Sequence, residues 1–460
     1  METAELLTRL EQKLGLQQQQ AKVLIVGLGT TGLSVARFLK NLDIQFAMVD
    51  SRDKPPLIDP LADEMPDVAV FSGGFDSAAF EVATHLLVSP GVSLQQETIA
   101  KAIRSGLKVI SDIDLFACAV DKPVIGVTGS NGKSTVTTLL GDMGRYTGVN
   151  TAIGGNLGIP ALDLLKQDAD LYVLELSSFQ LERTSVLEPV AATVLNVSAD
   201  HMDRHAGIEA YAAEKKRIFK GNGICVLNLD DPVVMAMQEP NRTCYTFSVK
   251  SQADYYWAQK TDELMAQGSP FIARAELKLE GLHNVANVLA AIALGQAVGL
   301  DDEGMRKALR AFNGLEHRMQ KVAEINGVSW INDSKATNPG ACIAALNGSQ
   351  DKVVLIAGGD AKGAAMTELT EAVQQKCKAV VAMGKDAEQI EAALKEILPV
   401  YRVKNMRQAV SQADKLAETG ERVLLSPACA SLDQYKNYME RGERFIQEVR
   451  KLEEVACQGS

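Results

Sequence analysis

Short apolar runs rich in β-branched residues alternate with segments of helical periodicity from one end of the chain to the other. Three of the clearest runs are AKVLIVG, beginning at Ala21, PVIGVTG, beginning at Pro123, and KVVLIAGG, beginning at Lys352. Strands that alternate with helices in this way form β-α-β units, in which parallel strands make a sheet covered by helices. The pattern therefore predicts an α/β protein built from parallel sheets.

The pattern restarts twice, which divides the chain into three blocks. The first restart precedes the run at Pro123, and the second lies near Leu315–Arg318. A chain of 460 residues has room for about three domains of ordinary size. We predict domains at residues 1–111, 112–316 and 317–460.

Composition and charge exclude several classes of protein. The formal net charge is −11, and no run of basic residues suits a nucleic-acid backbone. The seven cysteines are scattered without a CxxC pair, which favours a reducing compartment over a disulfide or zinc framework. The N-terminus lacks the pattern of a signal peptide, and no apolar run is long enough to span a bilayer. We expect a cytoplasmic monomer with no nucleic-acid partner and no membrane insertion.

The strand near Pro123 runs directly into the loop GSNGKST. Glycines let backbone N–H groups curl around a phosphate, and the N-terminus of the following helix adds positive potential. The strict GxxxxGK[ST] pattern is not met, because Val127 stands where that pattern has glycine. The alternative is a glycine turn with an exposed lysine. We predict ATP binding, with Mg²⁺ at a hydroxyl, by Gly129, Asn131, Gly132, Lys133, Ser134 and Thr135.

Two later strands end in residues that suit a metal site. Glu175 ends the apolar run LYVLE, and His201 lies in the sequence ADHMD after the next strand. A carboxylate at a strand end can hold the Mg²⁺ that bridges nucleotide phosphates. Taken alone, Glu175 could also be a surface acid, and His201 could be an ordinary polar contact. The residues leave both interpretations open.

The first domain contains a second glycine-rich loop, GLGTTG at Gly27–Gly32, which follows a strand. Together with Asp50, this is the fingerprint of a dinucleotide site. A nicotinamide-dependent dehydrogenase would use this loop but would leave Lys133 without a role. Backbone amides at a helix N-terminus serve the diphosphate of a UDP-sugar equally well.

The loop TGSNGKST, with acidic and histidine residues at the ends of later strands, resembles the Mur ligase family, which includes folylpolyglutamate synthases. In the third domain, DSKATN at 333–338 and SPACASLDQ at 426–434 are most similar to the D-glutamate-adding members. Asp-Asn-Pro-Arg, typical of the diaminopimelate-adding members, does not occur there. The resemblance implies a Rossmann-like N-terminal domain for a UDP-sugar or other acceptor, a central P-loop ATPase-like α/β domain, and a Rossmann-like C-terminal domain for the incoming amino acid.

The resemblance also implies the chemistry. ATP would phosphorylate the carboxylate of UDP-N-acetylmuramoyl-L-alanine, and D-glutamate would attack the acyl phosphate to give an amide, ADP and phosphate in peptidoglycan synthesis. A folylpolyglutamate synthase would keep the phosphate loop and the metal residues but bind a different acceptor. In this interpretation the catalytic residues are Lys133, His201 and Lys215.

Two Mg²⁺ sites follow from the resemblance, with ligands Ser134, Thr135, Glu175, His201 and Lys215. A free lysine is a cation at neutral pH and would repel Mg²⁺. In the family, a lysine on the matching helix reacts with CO₂ to give a carbamate, which offers oxygen ligands. The family pattern Lys-x-Arg-Ile fits Lys215 better than Lys216, although both could be solvated helix charges.

The remaining contacts are carried over from the family. The nucleotide contacts would be Asn284 and Asn287, with Arg318 at a phosphate and Asp333 at the ribose. The UDP-substrate contacts would be Gly29, Thr30, Thr31, Gly32, Asp50, Ser51, Ser89 and Asn156. The D-glutamate contacts would be Thr337, Lys362, Ser431, Leu432 and Tyr438, where the family often has phenylalanine in place of this tyrosine. Helix capping and solvated lysines are the alternative explanation for these residues.

Overall fold

Three separate β-sheets organise the protein. The computed structural model describes residues 2–75 and 78–458, and within them the sheets contain five, nine and six strands. Helices pack against each sheet, so the predicted α/β class with three domains is confirmed. No helix in the described part of the chain is both long and apolar enough to cross a membrane.

The first sheet is parallel throughout. Its strands are β1 Lys22–Val26, β2 Gln45–Asp50, β3 Val70–Ser72, β4 His85–Val88 and β5 Lys108–Ile110, in the order β3-β2-β1-β4-β5. The helices are α1 Thr3–Leu14, α2 Thr30–Asn41, α3 Ile58–Glu64, α4 Ala79–Val82 and α5 Glu97–Arg104. The buried strand β1 lies between β2 and β4, and the GLGTTG loop follows its carboxyl end. Ligands bind at this edge of open α/β sheets.

The central sheet is parallel over most of its width. Its strands are β6 Val124–Thr128, β7 Thr151–Gly155, β8 Leu171–Glu175, β9 Ala191–Val194, β10 Ile224–Asn228, β11 Cys244–Ser248, β12 Tyr255–Ala258, β13 Glu263–Ala266 and β14 Ser269–Ala273. The helices are α6 Asp112–Ala119, α7 Lys133–Thr147, α8 Ala161–Leu164, α9 Ser178–Leu181, α10 Ile208–Lys216, α11 Pro232–Met235, α12 Leu282–Ala297 and α13 Asp302–Ala311. The strand order is β14-β13-β12-β11-β10-β9-β6-β8-β7.

The prediction of parallel sheets is wrong for the β12–β13 and β13–β14 pairs, which are antiparallel, whereas β12 is parallel to β11. The turn between β13 and β14 contains only Gln267 and Gly268, both with positive φ. A two-residue loop can join only antiparallel strands, and positive φ at both positions matches their twist. Local turn geometry therefore overrides the parallel pattern here.

The third sheet is again mainly parallel. Its strands are β15 Gln320–Ile325, β16 Val328–Asn332, β17 Val353–Gly358, β18 Cys377–Met383, β19 Val400–Arg402 and β20 Arg422–Leu425, in the order β15-β16-β20-β17-β18-β19. The helices are α14 Pro339–Gly348, α15 Thr370–Lys376, α16 Ala387–Leu394, α17 Met406–Leu416 and α18 Tyr438–Gln458. Strand β15 is antiparallel to β16, because the Asn326–Gly327 turn with positive φ at both residues joins them.

The order of the central strands brings the predicted phosphate and metal residues together. Strand β6 lies between β8 and β9, and all three are parallel. Their carboxyl ends therefore meet at one edge of the sheet, where the loop after β6, Glu175 at the end of β8 and Asn196 after β9 are neighbours. Helix α12 is buried against this sheet and α7, which fixes Asn284 and Asn287 beside the same edge.

Candidate active site

The loop between β6 and α7 is held in shape by the neighbouring strand end. The side chain of Asn196 accepts from the Asn131 N–H at 2.8 Å and donates to the Asn131 carbonyl at 3.1 Å. The Ser130 N–H donates to the Asn196 carbonyl at 2.9 Å. Gly132 has a φ of 86°, and a Cβ there would lie 2.2 Å from Oδ1 of Asn287. Only glycine fits this turn, so the loop is fixed by both its neighbours and its own sequence.

Two cations lie at the loop. Nζ of Lys133 donates to the carbonyls of Gly129 at 2.7 Å and Ser130 at 2.9 Å, which folds this side chain back over the loop. Arg318 reaches in from the third domain, and its Nη2 donates to Oγ of Ser134 at 3.0 Å. Burial lowers the pKa of both Lys133 and Arg318. Negative charge on a bound phosphate would favour the charged form of each.

Glu175 lies in the same cavity and is 2% exposed. Its Oε1 accepts from Nδ2 of Asn156 at 2.6 Å, whereas Oε2 is buried with no hydrogen-bond partner among the described residues. A buried carboxylate oxygen without a partner is costly to desolvate. A cation at Oε2 would remove that cost, so the donor set and its environment suit Mg²⁺.

His201 follows β9 and lines the same cavity. Its ring packs edge-on against Phe179, with 4.9 Å between the centroids, and Nε2 lies 3.7 Å from Oδ2 of Asp200. Burial lowers the pKa of His201 to about 4, so the imidazole is neutral at pH 7, the form that binds metals. Within residues 2–75 and 78–458, no group of three or more His, Cys, Asp and Glu side chains is arranged around a metal position. Hydroxyls, phosphates or a modified side chain would have to complete a metal shell.

The structure separates the two candidate lysines of α10. Lys215 is 1% exposed, lines the cavity, and donates from Nζ to the Gly129 carbonyl at 2.9 Å. Nζ also lies 4.3 Å from the ring centroid of Tyr211. Burial, followed by the charge of Lys133, holds the pKa of Lys215 well below its usual value. Lys216 instead lies at the surface, 3.0 Å from Glu239.

A cavity of about 200 Å³ lies between the central and third domains. Of the residues predicted to bind ATP, it is lined by Asn131, Gly132, Thr135, Asn284, Asn287, Arg318 and Asp333. Lys133 and Ser134 line the adjoining cavity that contains Glu175. Gly129 instead supplies the carbonyl that accepts from Lys133 and Lys215. The predicted nucleotide residues are thus brought to one place.

The cavity between the central and third domains, called the nucleotide cavity below, also contains wall residues that were not predicted from the sequence. Its wall includes Phe247, at β11, and His283, next to the predicted Asn284. Aromatic and polar walls of this kind suit a heterocyclic base. Asp333 accepts from Oγ of Ser426 at 2.9 Å, and burial raises its pKa to about 7. The HNVAN sequence could have indicated His283, whereas Phe247 could be found only once the strand order was known.

A second cavity, of about 480 Å³, opens between the first and central domains. Seven of the eight residues predicted for the UDP-substrate line it: Gly29, Thr30, Thr31, Asp50, Ser51, Ser89 and Asn156. Gly32 is the exception, because a Cβ there would lie 2.1 Å from the Gly27 carbonyl, deep in the helix–strand contact. Asp50 is tied to the Leu28 N–H at 2.7 Å and to Nε of Arg52 at 2.8 Å. Arg52, which also lines the cavity, was not predicted.

The residues predicted for D-glutamate are only partly brought together. Thr337 lines the cavity that contains Glu175, and Nζ of Lys362 lies 2.5 Å from Oδ1 of Asp200 at its edge. Ser431 is buried, and the ring of Tyr438 lies 3.8 Å from Nζ of Lys335. Leu432 is 73% exposed, so its side chain faces solvent.

An unpredicted amide network joins the third domain to the phosphate loop. Asn338 exchanges side-chain hydrogen bonds with Asn131, at 3.2 and 3.4 Å, and donates to Oδ2 of Asp200 at 3.0 Å. Its Oδ1 also caps α14 by accepting from the Ala341 N–H. The DSKATN motif contains Asn338, so the motif was found but this residue was not singled out.

The three cavities are neighbours, since they share wall residues. Asn156 lines both the cavity between the first and central domains and the cavity that contains Glu175. Asn131, Gly132, Arg318 and Lys335 line both the Glu175 cavity and the nucleotide cavity. The cavity that contains Glu175 thus lies between the cavity at the glycine loop of the first domain and the cavity formed with the third domain.

Comparisons with known proteins agree with this arrangement. Models of the Mur ligase MurD-like N-terminal domain, the Mur ligase middle domain and the Mur ligase glutamate ligase domain match residues 21–111, 127–295 and 317–429. The UDP-N-acetylmuramoylalanine--D-glutamate ligase of Methylococcus capsulatus is 51% identical over 444 residues, which cover 96% of each chain. The enzyme of that name from Nitrosococcus oceani is 48% identical, over 95% of this chain and 98% of that one.

Solved structures extend the likeness to the fold. The UDP-N-acetylmuramate-alanine ligase of Thermotoga maritima superposes with a TM-score of 0.59 at 18% identity, covering 94% of this chain and 99% of that one. Such low identity speaks for the fold alone. The domain models and the close relatives go further, because they cover nearly the whole chain in the same order of domains. The chain belongs to the Mur ligase family.

Proposed function

We propose that this protein is an ATP-dependent ligase that adds D-glutamate to UDP-N-acetylmuramoyl-L-alanine in peptidoglycan synthesis, releasing ADP and phosphate. The observation that carries the proposal is the adjacency of the three cavities, which share Asn156, Asn131 and Arg318 as wall residues. A ligase of this kind must bring a carboxylate, a γ-phosphate and an amine to one point. The names of the close relatives support the choice of substrates.

The acceptor would lie in the cavity between the first and central domains, with its diphosphate at the start of α2. Gly29, Thr30 and Thr31 line this part of the cavity, and a helix N-terminus favours an anion. Asp50 and Ser51 would contact uracil at the far side. Ser89 and Asn156 would then direct the sugar and its alanine carboxylate toward Glu175. Gly32 would act indirectly, by allowing α2 to approach Gly27.

In the first step, a carboxylate oxygen of the acceptor attacks the γ-phosphorus of ATP, and the bond to ADP breaks. Lys133 and Arg318 would stabilise the negative charge on the transferring group, because both cations lie at the loop in a water-poor site. Asn284 and Asn287 would hold the nucleotide, and Asp333 its ribose. Mg²⁺ supplies charge neutralisation between the phosphates when bound.

In the second step, the D-glutamate nitrogen attacks the acyl carbon, and phosphate leaves with the bonding electron pair. Lys362 and Thr337 would hold the carboxylates of D-glutamate at the edge of the central cavity. Ser431, Leu432 and Tyr438 would complete this subsite, with Leu432 requiring movement because it faces solvent. Holding both reactants in one site removes much of the entropic cost of the attack.

Two Mg²⁺ sites are part of the proposal. Ser134, Thr135 and Glu175 would serve the site beside the phosphates, and His201 and Lys215 the second. Lys215 would act as a carbamate, formed when its neutral amine attacks CO₂ and releases a proton. The burial of Nζ supports this, since it favours the neutral, nucleophilic amine. Lys216 lacks that environment.

The organisation of the protein is proposed on the same evidence. We place the acceptor, ATP and amino-acid domains at residues 1–111, 112–316 and 317–460, as the three sheets suggest. We also propose that the protein acts as a cytoplasmic monomer without a nucleic-acid partner. The net charge of −11 supports the last point.

Phosphate release, measured with each substrate omitted in turn, tests the proposal. We expect release only when ATP, Mg²⁺, UDP-N-acetylmuramoyl-L-alanine and D-glutamate are all present, together with an equal amount of the amide product. Substitution of L-glutamate or of a folate-type acceptor is the control and should give no product. Equal turnover with a folate-type acceptor, or full turnover without D-glutamate, would contradict the assignment.

A further inference from the structure

A buried arginine joins the central domain to the first domain beside the acceptor cavity. Arg183 follows α9, and its side chain is 1% exposed. Its Nη1 donates to the carbonyls of Ser89 at 2.6 Å and Val88 at 3.2 Å, and Nη2 donates to the Val92 carbonyl at 2.6 Å. The guanidinium is a rigid planar fork, so three such bonds fix the position and the orientation of the accepting loop.

The accepting loop is itself a wall of the acceptor cavity. The Val92 N–H donates to the Ser89 carbonyl at 2.9 Å, which closes a turn over Pro90 and Gly91. All four residues of this turn line the cavity. Oγ of Ser89 also donates to the Gly27 carbonyl at 3.0 Å, which ties the turn to the glycine loop. A shift of the turn would therefore move the wall against which the acceptor lies.

The segment that carries Arg183 also carries part of the catalytic centre. Glu175 and Phe179 line the central cavity, and Gln180 lines the acceptor cavity. Phe179 and Gln180 belong to the short helix α9. Its N-terminus is fixed by a capping box, in which the side chains of Ser177 and Gln180 each accept from the other residue's backbone N–H. Arg183 thus holds the acceptor wall at a set distance from the candidate metal ligand Glu175.

The surroundings of Arg183 are poorly suited to a purely stabilising role. The nearest carboxylate oxygen, on Glu182, is 3.5 Å away, and Nε is buried without a hydrogen-bond partner among the described residues. A buried charge with incomplete partners costs desolvation energy and is weak evidence for stability. The domains also have a separate connection, because α1 of the first domain packs against α6 of the central domain, and α2 packs against α8.

We propose that Arg183 is a positioning residue for the acceptor. It sets the Ser89–Val92 turn against the central domain so that the acceptor carboxylate reaches the phosphate loop. The role rests on the proposed function, since it assumes an acceptor in this cavity. Arg183 does not touch the reacting atoms, so its removal should act on acceptor binding and alignment while ATP and D-glutamate binding stay intact.

The test compares Arg183→Met and Arg183→Lys with Arg242→Met. Arg242 is a matched control, because it also donates to backbone carbonyls, those of Phe219 and Gly223, but entirely within the central domain. For Arg183→Met we expect acceptor KM to rise and kcat to fall by about tenfold each, since small misplacements of a substrate are costly. KM for ATP and D-glutamate should stay within about twofold, and Arg183→Lys should give an intermediate acceptor KM because it keeps a donor. Arg242→Met should resemble the wild type.

A second readout does not depend on turnover. Hydrogen exchange in peptides covering residues 88–95, without substrates, should be faster in Arg183→Met than in the wild type and in Arg242→Met. An unchanged acceptor KM in folded protein, equal changes in all three KM values, or unchanged exchange would each overturn the proposal. If Arg183→Met does not fold, the same measurements are made on Arg183→Lys. An unchanged acceptor KM or unchanged hydrogen exchange in that variant would then overturn the proposal. If the wild type makes no amide, the proposed function fails, and the exchange result still decides whether Arg183 holds the turn.

Discussion

Nζ of Lys362 lies 2.5 Å from Oδ1 of Asp200, so an ion pair joins the third domain to the loop that carries His201. Burial raises the pKa of Asp200, but the charge of Lys362, together with His201 and the hydrogen bonds from Lys362 and Asn338, outweighs burial and holds this pKa below its ordinary value. Asn338 donates to the other oxygen of Asp200. In the proposed function, a carboxylate of D-glutamate at Lys362 would therefore compete with Asp200 for the same cation.

Replacing Lys362 by methionine removes the cation but keeps most of the side-chain volume. We expect KM for D-glutamate to rise by at least about tenfold, because a charge-assisted contact to a carboxylate is lost. KM for ATP should change little. Lys378→Met is the control, since Lys378 pairs with Glu418 and Glu421 elsewhere in the same domain. Equal D-glutamate KM values in the two variants would count against Lys362 as a substrate contact.

Lys215 and Lys216 are adjacent but differ in environment, which allows a paired test. Lys215→Ala should lower kcat by about 100-fold, because a ligand at the charged centre is lost. Lys216→Ala should keep most activity, since Lys216 pairs with Glu239 at the surface. If Lys215 is carbamylated, wild-type activity should fall in CO₂-depleted buffer and return with bicarbonate. Activity indifferent to bicarbonate, with no mass gain at Lys215, would count against the carbamate.

Alanine substitutions at two glycines of the first domain should have different effects, one on stability and the other on acceptor binding. In Gly32→Ala the new Cβ would lie 2.1 Å from the Gly27 carbonyl, so the helix must move and Tm should fall. A loss of about 1–3 kcal/mol is typical of such overpacking. A Cβ at Gly29 meets nothing within 4 Å, so Gly29→Ala should keep its Tm and change mainly the acceptor KM. The opposite pattern of Tm values would refute this division of roles.

His283 should make stability depend on pH. Burial lowers its pKa from 6.5 to about 4, and its Nδ1 has no hydrogen-bond partner among the described residues. Between these values the unfolded chain binds a proton that the folded chain does not, so stability is full above pH 6.5 and falls as the pH drops toward 4. In His283→Leu the fall in Tm from pH 7 to pH 5 should be smaller than in the wild type or in Lys216→Gln. An identical fall in all three proteins would show that His283 does not titrate on unfolding.

The parallel strands could be predicted because buried β-branched runs mark them directly. The runs that contain β1, β6 and β17 are examples. The antiparallel additions could not be found in the same way, because turns rather than strands determine them. Asn326–Gly327 is a hairpin signal that the alternation of strands and helices concealed.

The site was predictable where a residue follows a strand end or a glycine loop. Glu175 and Lys133 meet because parallel strands end at the same edge. Arg183, Asp200 and Phe247 could not be predicted, because their importance depends on which domain surfaces face each other. For Gly32 the motif was found but the predicted role was not. Close packing against the Gly27 carbonyl, rather than contact with a ligand, explains why glycine is needed at this position.

The measurement that tests the central claim most directly follows oxygen from the acceptor to phosphate. UDP-N-acetylmuramoyl-L-alanine is labelled with ¹⁸O in its alanine carboxylate and incubated with ATP, Mg²⁺ and D-glutamate. Transfer of the γ-phosphoryl group to that carboxylate predicts one ¹⁸O atom in each released phosphate, with the other retained in the amide. Phosphate that carries no ¹⁸O while the amide forms would contradict activation of the carboxylate by ATP.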